Sequence, residues 1–161
     1  AATNGGICEA ANDNAPGQVV ISGHKAAIDR AIELVKDHGI KRGILLPVSA
    51  PFHCPLMQPA ADAMAHALAD AALSAPLVPV YANVIAAPVA DAETIKRLLV
   101  KQVTGRVRWR ESVIAMSAAG VTDFVEFGGK VLAPMVKRSV PDAQATSLIS
   151  MDDIEAIAKS L

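Results

Sequence analysis

Short apolar runs alternate with helix-spaced segments along nearly the whole chain, and glycine, proline or turn residues separate them. Runs of four to eight residues rich in Val and Ile are typical of strands, whereas apolar residues spaced three and four apart indicate helices. The spacing predicts strands over 7–11, 18–22, 42–48, 80–85, 123–127 (buried) and 145–149. It predicts helices over 24–38, 60–73, 92–103, 107–119, 130–140 and 151–161. Such alternation predicts an α/β protein.

Residues 1–48 begin with strand, turn, strand, helix and strand, the turn being predicted over Asn12–Gly17. This order resembles the last three-quarters of a ferredoxin-like unit whose first strand and helix are absent. Such a unit would leave a sheet edge and an apolar face uncovered. We therefore expect the chain to be part of a longer protein.

Composition excludes several classes of function. The chain has 161 residues, 52% of them hydrophobic, and a formal net charge of −1, which disfavours nucleic acid or a membrane surface as partner. No apolar run is long enough to cross a membrane, and no signal peptide is recognisable at the start. Cys8 and Cys54 lie far apart, so we expect free thiols and a cytoplasmic location. The four histidines lack metal-ligand spacing, and no metal site is predicted.

His53 is the first candidate for chemistry. It lies in a proline-bounded loop, Ser49–Pro59, directly after a predicted strand. Prolines stiffen the backbone, and a general base must hold its proton-accepting nitrogen in a fixed place. From spacing alone, a surface histidine that packs on Phe52 is the better interpretation, because single histidines are common.

Several blocks of sequence favour a functional role for His53 over the surface-packing interpretation. Residues 46–60 read LPVSAPFHCPLMQPA and resemble the histidine motif of malonyl-CoA:acyl-carrier-protein transacylases, roughly LPVSxPxHxxLMxPA. NDNAPGQVVISG at 12–23, VPVYANV at 78–84 and EFGGKVL at 126–132 resemble three further blocks of that family. Gln102 and Trp109 fall where the family has its Q…VxW helix pair. The blocks keep the family's order across nearly the whole chain.

The resemblance implies a fold and a reaction. Residues 1–48 would be part of an inserted ferredoxin-like subdomain, and 49–161 the C-terminal part of a large α/β-hydrolase-like acyltransferase domain. A serine would attack malonyl-CoA, hold the malonyl group as an ester and pass it to the phosphopantetheine thiol of acyl carrier protein. This would serve type II fatty-acid biosynthesis in the cytoplasm. No cofactor is implied beyond the CoA thioester, which is substrate.

The resemblance also implies residue roles. His53 would be the base, oriented through a backbone carbonyl, and Gln102 occupies the position credited with that contact. Phe52 would narrow the pocket around the acyl α-carbon, although a plain packing role is about as plausible. Asn14 and Asn83 would contact substrate or merely stabilise turns, with the turn interpretation favoured for Asn14.

The chain also departs from the family pattern. It contains no G-x-S-x-G, so we expect the serine, the carboxylate-binding arginine and the oxyanion loop to precede Ala1. Arg106, Arg108 and Arg110 do not replace that arginine by position. The Gly128-Gly129 turn is one residue shorter than the family's GPG form. Cys54 is disfavoured as a nucleophile, since neighbouring residues on an extended loop point apart.

Two alternatives remain open at this point. The chain could be an acyltransferase domain excised from a polyketide or fatty-acid synthase, although its end at a capped helix favours a stand-alone enzyme. It could also be a non-catalytic fragment that binds carrier protein or CoA, an interpretation motivated by the missing serine.

Overall fold

A computed structural model describes residues 2 and 5–159. Its strands are β1 (Cys8–Ala15), β2 (Gln18–Gly23), β3 (Val80–Ala82), β4 (Ala87–Val89), β5 (Asp123–Phe127) and β6 (Gln144–Leu148). Its helices are α1 (Lys25–Leu34), α2 (Gln58–Ala69), α3 (Ala92–Thr104), α4 (Trp109–Ala118), α5 (Leu132–Ser139) and α6 (Met151–Ala158), with a 3₁₀ turn at Pro55–Met57. The predicted mixed α/β class is confirmed.

The N-terminal hairpin is longer than predicted. β1 pairs antiparallel with β2, and its register shifts twice, so Ala11 and Asn14 are extra residues at bulges. The turn predicted over Asn12–Gly17 is present but shorter: β1 continues to Ala15, and the turn consists of Pro16 and Gly17. Gly17 has a φ of 73°, a conformation that glycine adopts without steric cost.

A backbone connection joins β1 to the segment between α3 and α4. The Val107 N–H donates to the Ala11 carbonyl at 2.8 Å, and the Asp13 N–H donates to the Val107 carbonyl at 2.9 Å. The helix predicted from Val107 therefore begins only at Trp109, because β1 already uses both backbone groups of Val107. Tertiary pairing has replaced the first two residues of the predicted helix.

An ion pair strengthens the same connection. The Arg110 Nε donates to Asp13 Oδ1 at 2.9 Å and its Nη2 donates to Oδ2 at 2.6 Å. Asp13 is buried, and the Arg110 guanidinium, through hydrogen bonding first, lowers the pKa of its carboxyl. Two parallel bonds from one guanidinium fix orientation as well as distance.

The strand predicted over Arg42–Val48 is wrong. Those residues have no regular secondary structure and pair with no strand in the described part of the chain. Ile44 and Leu45 are each 62% exposed. A β-strand exists only through its neighbours' hydrogen bonds, and an apolar sequence alone cannot supply them.

A short hairpin, β3–β4, was not predicted. β3 ends at Ala82 rather than at Ile85, and residues 83–86 form the turn that leads to β4. Ala86 has a φ of 53°, which is unusual for a residue with a Cβ. β4 was not predicted because it contains Pro88, and proline within a sheet is normally confined to edge strands.

The C-terminal sheet is a parallel pair, β5 with β6. β5 is not buried as predicted: Val125 is 41% and Phe127 70% exposed. Parallel sheets normally have both faces covered. Here the small core lies on one side, where α4 and α5 place Val113 and Val136 against Ala143, with Trp109, Met116 and Phe124 around them.

Other helix ends differ by a few residues from the prediction. α1 stops at Leu34 rather than at His38, and α5 begins at Leu132 rather than at Lys130. The α6 N-terminus agrees, with Ser150 and Asp153 forming a capping box; the predicted end at Leu161 lies outside the described residues. Among the described helices, none has the length and apolarity to span a membrane.

Candidate active site

The loop that carries His53 is folded tightly. His53 has a φ of 59°, in the left-handed region that non-glycine residues rarely occupy. The buried Cys54 thiol donates to the Pro51 carbonyl at 3.2 Å and so closes the loop around His53. The 3₁₀ turn and α2 follow at once, with Pro59 in the first turn of α2, where a missing N–H costs nothing.

One nitrogen of the His53 ring is occupied. Nδ1 lies 3.0 Å from the backbone carbonyl oxygen of Gln102. A carbonyl can only accept, so in the neutral ring Nδ1 carries the proton and Nε2 keeps its lone pair. Within the described residues no hydrogen bond reaches Nε2. The ring is therefore oriented by a neutral group and can accept a proton at its outer nitrogen.

The Gln102 carbonyl is available because it lies in the last turn of α3, which ends at Thr104. The last carbonyls of a helix have no partner within the helix and carry partial negative charge. The Gly105 N–H also donates to this oxygen at 3.3 Å, and the Gln102 side-chain Nε2 donates to the Gly105 carbonyl at 2.8 Å. α2 packs against α3, which brings the His53 loop to this helix end.

The other predicted site residues are placed differently. Phe52, next to His53, is 46% exposed. Asn14 lies at the second bulge of β1, so it belongs to a strand rather than to a turn. Asn83 lies in the β3–β4 turn, where its side chain accepts from the Ser112 hydroxyl at 3.3 Å and its backbone carbonyl accepts from the Arg108 N–H at 3.1 Å. Asn83 thus anchors the hairpin to α4 and does not bond to His53.

The three arginines near α4 bind the chain's own acceptors. Arg106 Nε donates to the Ala10 carbonyl at 3.2 Å, and Arg110 binds Asp13. Arg108 Nε donates to Glu111 at 2.9 Å. Hydrogen bonding to Glu111 raises the pKa of Arg108, and the same contact lowers the pKa of Glu111. Each of these guanidinium groups already has a partner within the described chain.

The turn after β5 has an organising residue that motif matching did not single out. Glu126 accepts from the backbone N–H groups of Val131, Leu132 and Ala133 at 2.9–3.0 Å, and from the Ser147 hydroxyl at 3.0 Å. These donors, Leu132 first, lower the pKa of Glu126 to about 2. The signal in the sequence was a carboxylate five to seven residues before unpaired helix N–H groups.

The described residues contain no group of three or more His, Cys, Asp or Glu side chains that could hold a metal ion. Cys8 and Cys54 are both unpaired. The Cys54 thiol points to Pro51, so the structure does not pair it with the His53 ring. Among the described residues of this loop, His53 is the one that keeps a proton-accepting ring nitrogen open.

Comparison with known proteins shows which family this chain resembles. A profile of the acyl transferase domain matches residues 7–147. A malonyl CoA-acyl carrier protein transacylase of Salmonella typhimurium is 46% identical over 145 residues, which is 89% of this chain and 47% of that protein. The chain spans about half the length of the curated relatives it matches.

Solved structures show the same likeness. An acyl-carrier-protein S-malonyltransferase from Bartonella henselae superposes with a TM-score of 0.91 at 49% identity, covering 96% of this chain and 49% of that one. A malonyl-transacylase in complex with its type II PKS acyl-carrier protein superposes with a TM-score of 0.93 at 38% identity, covering 98% of this chain and 52% of that one. The resemblance predicted from the motifs is confirmed, and the chain belongs to the acyl transferase domain family.

Proposed function

We propose that this chain supplies the catalytic base, His53, of an enzyme that moves a malonyl group from malonyl-CoA to acyl carrier protein. The observation that carries the proposal is the 3.0 Å contact between His53 Nδ1 and the Gln102 carbonyl, which leaves Nε2 as acceptor. A neutral orienting group suits a malonyl substrate, because a carboxylate behind the ring would add negative charge near the malonyl anion.

The proposed reaction has two halves. Nε2 of His53 accepts the proton of a serine hydroxyl as its oxygen attacks the malonyl thioester carbonyl. The carbon–sulfur bond breaks, and the CoA sulfur leaves with the proton returned by Nε2. The phosphopantetheine thiol then gives its proton to Nε2 and attacks the serine ester, and the serine oxygen recovers that proton. His53 ends each half as it began.

The serine would lie in a part of the protein outside these 161 residues, because this chain has no G-x-S-x-G. The exposed side chains of Val125 and Phe127 on the parallel β5–β6 pair support this proposal. Such a pair needs further strands and helices to bury its apolar residues. We propose that the segment containing the serine completes this sheet.

The finer description of the fold also remains a proposal. Residues 1–48 would belong to an inserted ferredoxin-like subdomain, here represented by the β1–β2 hairpin and α1, and 49–161 to the large α/β-hydrolase-like domain. The hairpin is compatible with this division, although the strand expected over 42–48 is unpaired. The active site would lie where the two parts meet.

The remaining site assignments are proposals of different strength. Phe52, beside His53 and half-exposed, is placed to line a pocket wall. Asn14 is a candidate substrate contact because bulges redirect side chains. Asn83 is better explained as the anchor of the β3–β4 turn, since its backbone carbonyl accepts from the Arg108 N–H at 3.1 Å. We propose no cofactor, and a cytoplasmic location is supported by the unpaired cysteines.

The test uses the complete protein that contains this chain. Incubation with malonyl-CoA should give a malonyl ester, and peptide mapping should place it on a serine outside residues 1–161. Addition of holo acyl carrier protein should discharge the ester to the carrier thiol. Acetyl-CoA should react much more slowly, because acetyl lacks the carboxylate. A protein that binds carrier protein but never acquires the ester would contradict the proposal and support the non-catalytic alternative.

A further inference from the structure

Gln102 contributes two different groups to the site. Its backbone carbonyl accepts from His53 Nδ1, whereas its side-chain Nε2 donates to the Gly105 carbonyl at 2.8 Å. The Gly105 N–H donates back to the Gln102 carbonyl at 3.3 Å. Residues 102 and 105 are thus joined by two hydrogen bonds that run in opposite directions.

This ring occurs where the helix would otherwise be loose. α3 ends at Thr104, and Gly105 has φ −97° and ψ 150°, so the backbone leaves the helical path there. The last turn of a helix frays unless its unpaired carbonyls find hydrogen-bond donors. The amide of Gln102 holds the Gly105 carbonyl in place, and the N–H of the same residue donates to the carbonyl that faces His53.

The chain beyond Gly105 is fixed as well. Val107 is bonded to β1 on both sides, and Arg110 is paired with Asp13. The turn itself is packed closely, since a Cβ added at Gly105 would lie 2.7 Å from Val84 Cγ2. The segment is therefore anchored after Gly105 by contacts with β1, and the Gln102 amide anchors it on the α3 side.

We propose that the side-chain amide of Gln102 is a positioning group that holds its own backbone carbonyl on His53 Nδ1. It acts through the turn and does not touch the reacting atoms. The inference rests on the proposed role of His53 as base, but it also predicts a property of the His53 ring that exists without any turnover.

The test is Gln102→Met in the complete protein. Methionine keeps the length of the side chain and a good helix propensity but cannot donate to Gly105. The matched control is Gln58→Met, because Gln58 also donates its amide locally, to Asp62 at 2.7 Å, on the exposed start of α2. Ring ¹⁵N chemical shifts of His53, assigned from their loss in His53→Asn, report which nitrogen carries the proton.

Wild type and Gln58→Met should show a single ring tautomer with the proton on Nδ1. Gln102→Met should show a mixture of tautomers and faster exchange of the Nδ1 proton. Its kcat for malonyl transfer should fall by about tenfold to a hundredfold with KM nearly unchanged, as expected when a reacting group is displaced by about 1 Å.

Three outcomes would overturn the proposal. One is wild-type tautomer and wild-type kcat in Gln102→Met. Another is an unchanged tautomer with raised KM, which would make the amide a contact for substrate or carrier protein. The third is a loss equal to that of Gln58→Met. If the complete protein transfers no malonyl group at all, the tautomer shift alone still decides between positioning and no role.

Discussion

His53 and Glu126 are both held by backbone groups, yet they end in opposite states. Glu126 uses both carboxylate oxygens, which together accept three N–H groups and one hydroxyl. His53 uses one nitrogen, and the other has no partner in the described chain. A group whose bonding capacity is filled stabilises the fold, whereas a group held from one side only has an atom left for chemistry. The strained φ of 59° at His53 adds to this contrast.

The largest effect expected from this contrast is on turnover. His53→Asn in the complete protein should lower kcat for malonyl transfer by about 10²–10⁴-fold, because general acid–base catalysis contributes that much. Asparagine tolerates the left-handed backbone but cannot extend to the Gln102 carbonyl. His66→Asn, on the exposed face of α2, is the control. Near-normal transfer by His53→Asn would show that the half-bonded imidazole is not the base.

The reverse effect is expected at Glu126. In Glu126→Gln an amide nitrogen replaces one acceptor oxygen and faces backbone donors, so the α5 N-terminus loses hydrogen bonds. The melting temperature should fall by several degrees, while kcat per folded molecule stays near wild type. Glu33→Gln, exposed on α1, should change neither quantity. A lower kcat without a lower melting temperature in Glu126→Gln would contradict the assignment of Glu126 to stability rather than to catalysis.

Acid should lower the stability of the fold through Glu126, because protonation weakens the hydrogen bonds that its carboxylate accepts. Its pKa is lowered from 4.5 to about 2 in the folded chain, so the carboxylate stabilises the fold fully above 4.5. That stabilisation is lost progressively as the pH falls from 4.5 towards 2, because the unfolded state binds the proton first. Urea unfolding of wild type should weaken over this range, and the loss should be smaller in Glu126→Gln. Parallel curves for the two proteins would argue against the carboxylate as the cause.

The smallest effect concerns selectivity beside His53. If Phe52 narrows the pocket around the acyl α-carbon, Phe52→Ala should raise the kcat/KM of methylmalonyl-CoA relative to malonyl-CoA by about tenfold, since one methyl group in an apolar pocket is worth ~1–3 kcal/mol. Competition between the two thioesters in one reaction measures this ratio directly. An equal fall in both values would assign Phe52 to packing.

Local patterns predicted most helices and strands, but their outcomes depended on context. The helix from Ala92 could be read from the sequence, because its N-terminal contacts are local: Asp91 accepts from the Thr94 N–H, three residues further on. The strand over 42–48 could not be judged in the same way, since its hydrogen bonds must come from elsewhere. The start of α4 moved to Trp109 because β1, nearly a hundred residues earlier, bonds to Val107.

The candidate site was also predictable only in part from the sequence. The motif at 46–60 was sufficient to select His53 and, with the Q…VxW pattern, Gln102. The resemblance implied a backbone carbonyl contact at Gln102, but it did not show that the Gln102 amide bonds to Gly105 or that the Asn83 carbonyl accepts from Arg108. Residues far apart in sequence meet only after α2 packs on α3, and the direction of each polar atom is set by that packing.

By itself, the sequence determined the α/β class, the family and the candidate base, because these depend on residue types and their order. Only the tertiary structure decided that His53 Nδ1 is occupied and Nε2 open, and that Glu126 is saturated by the start of α5. The physical reason is that a hydrogen bond depends on the distance and angle between two atoms. For His53 and Gln102, which lie 49 residues apart, the distance and the angle are set by the packing of helices and not by their spacing in the sequence.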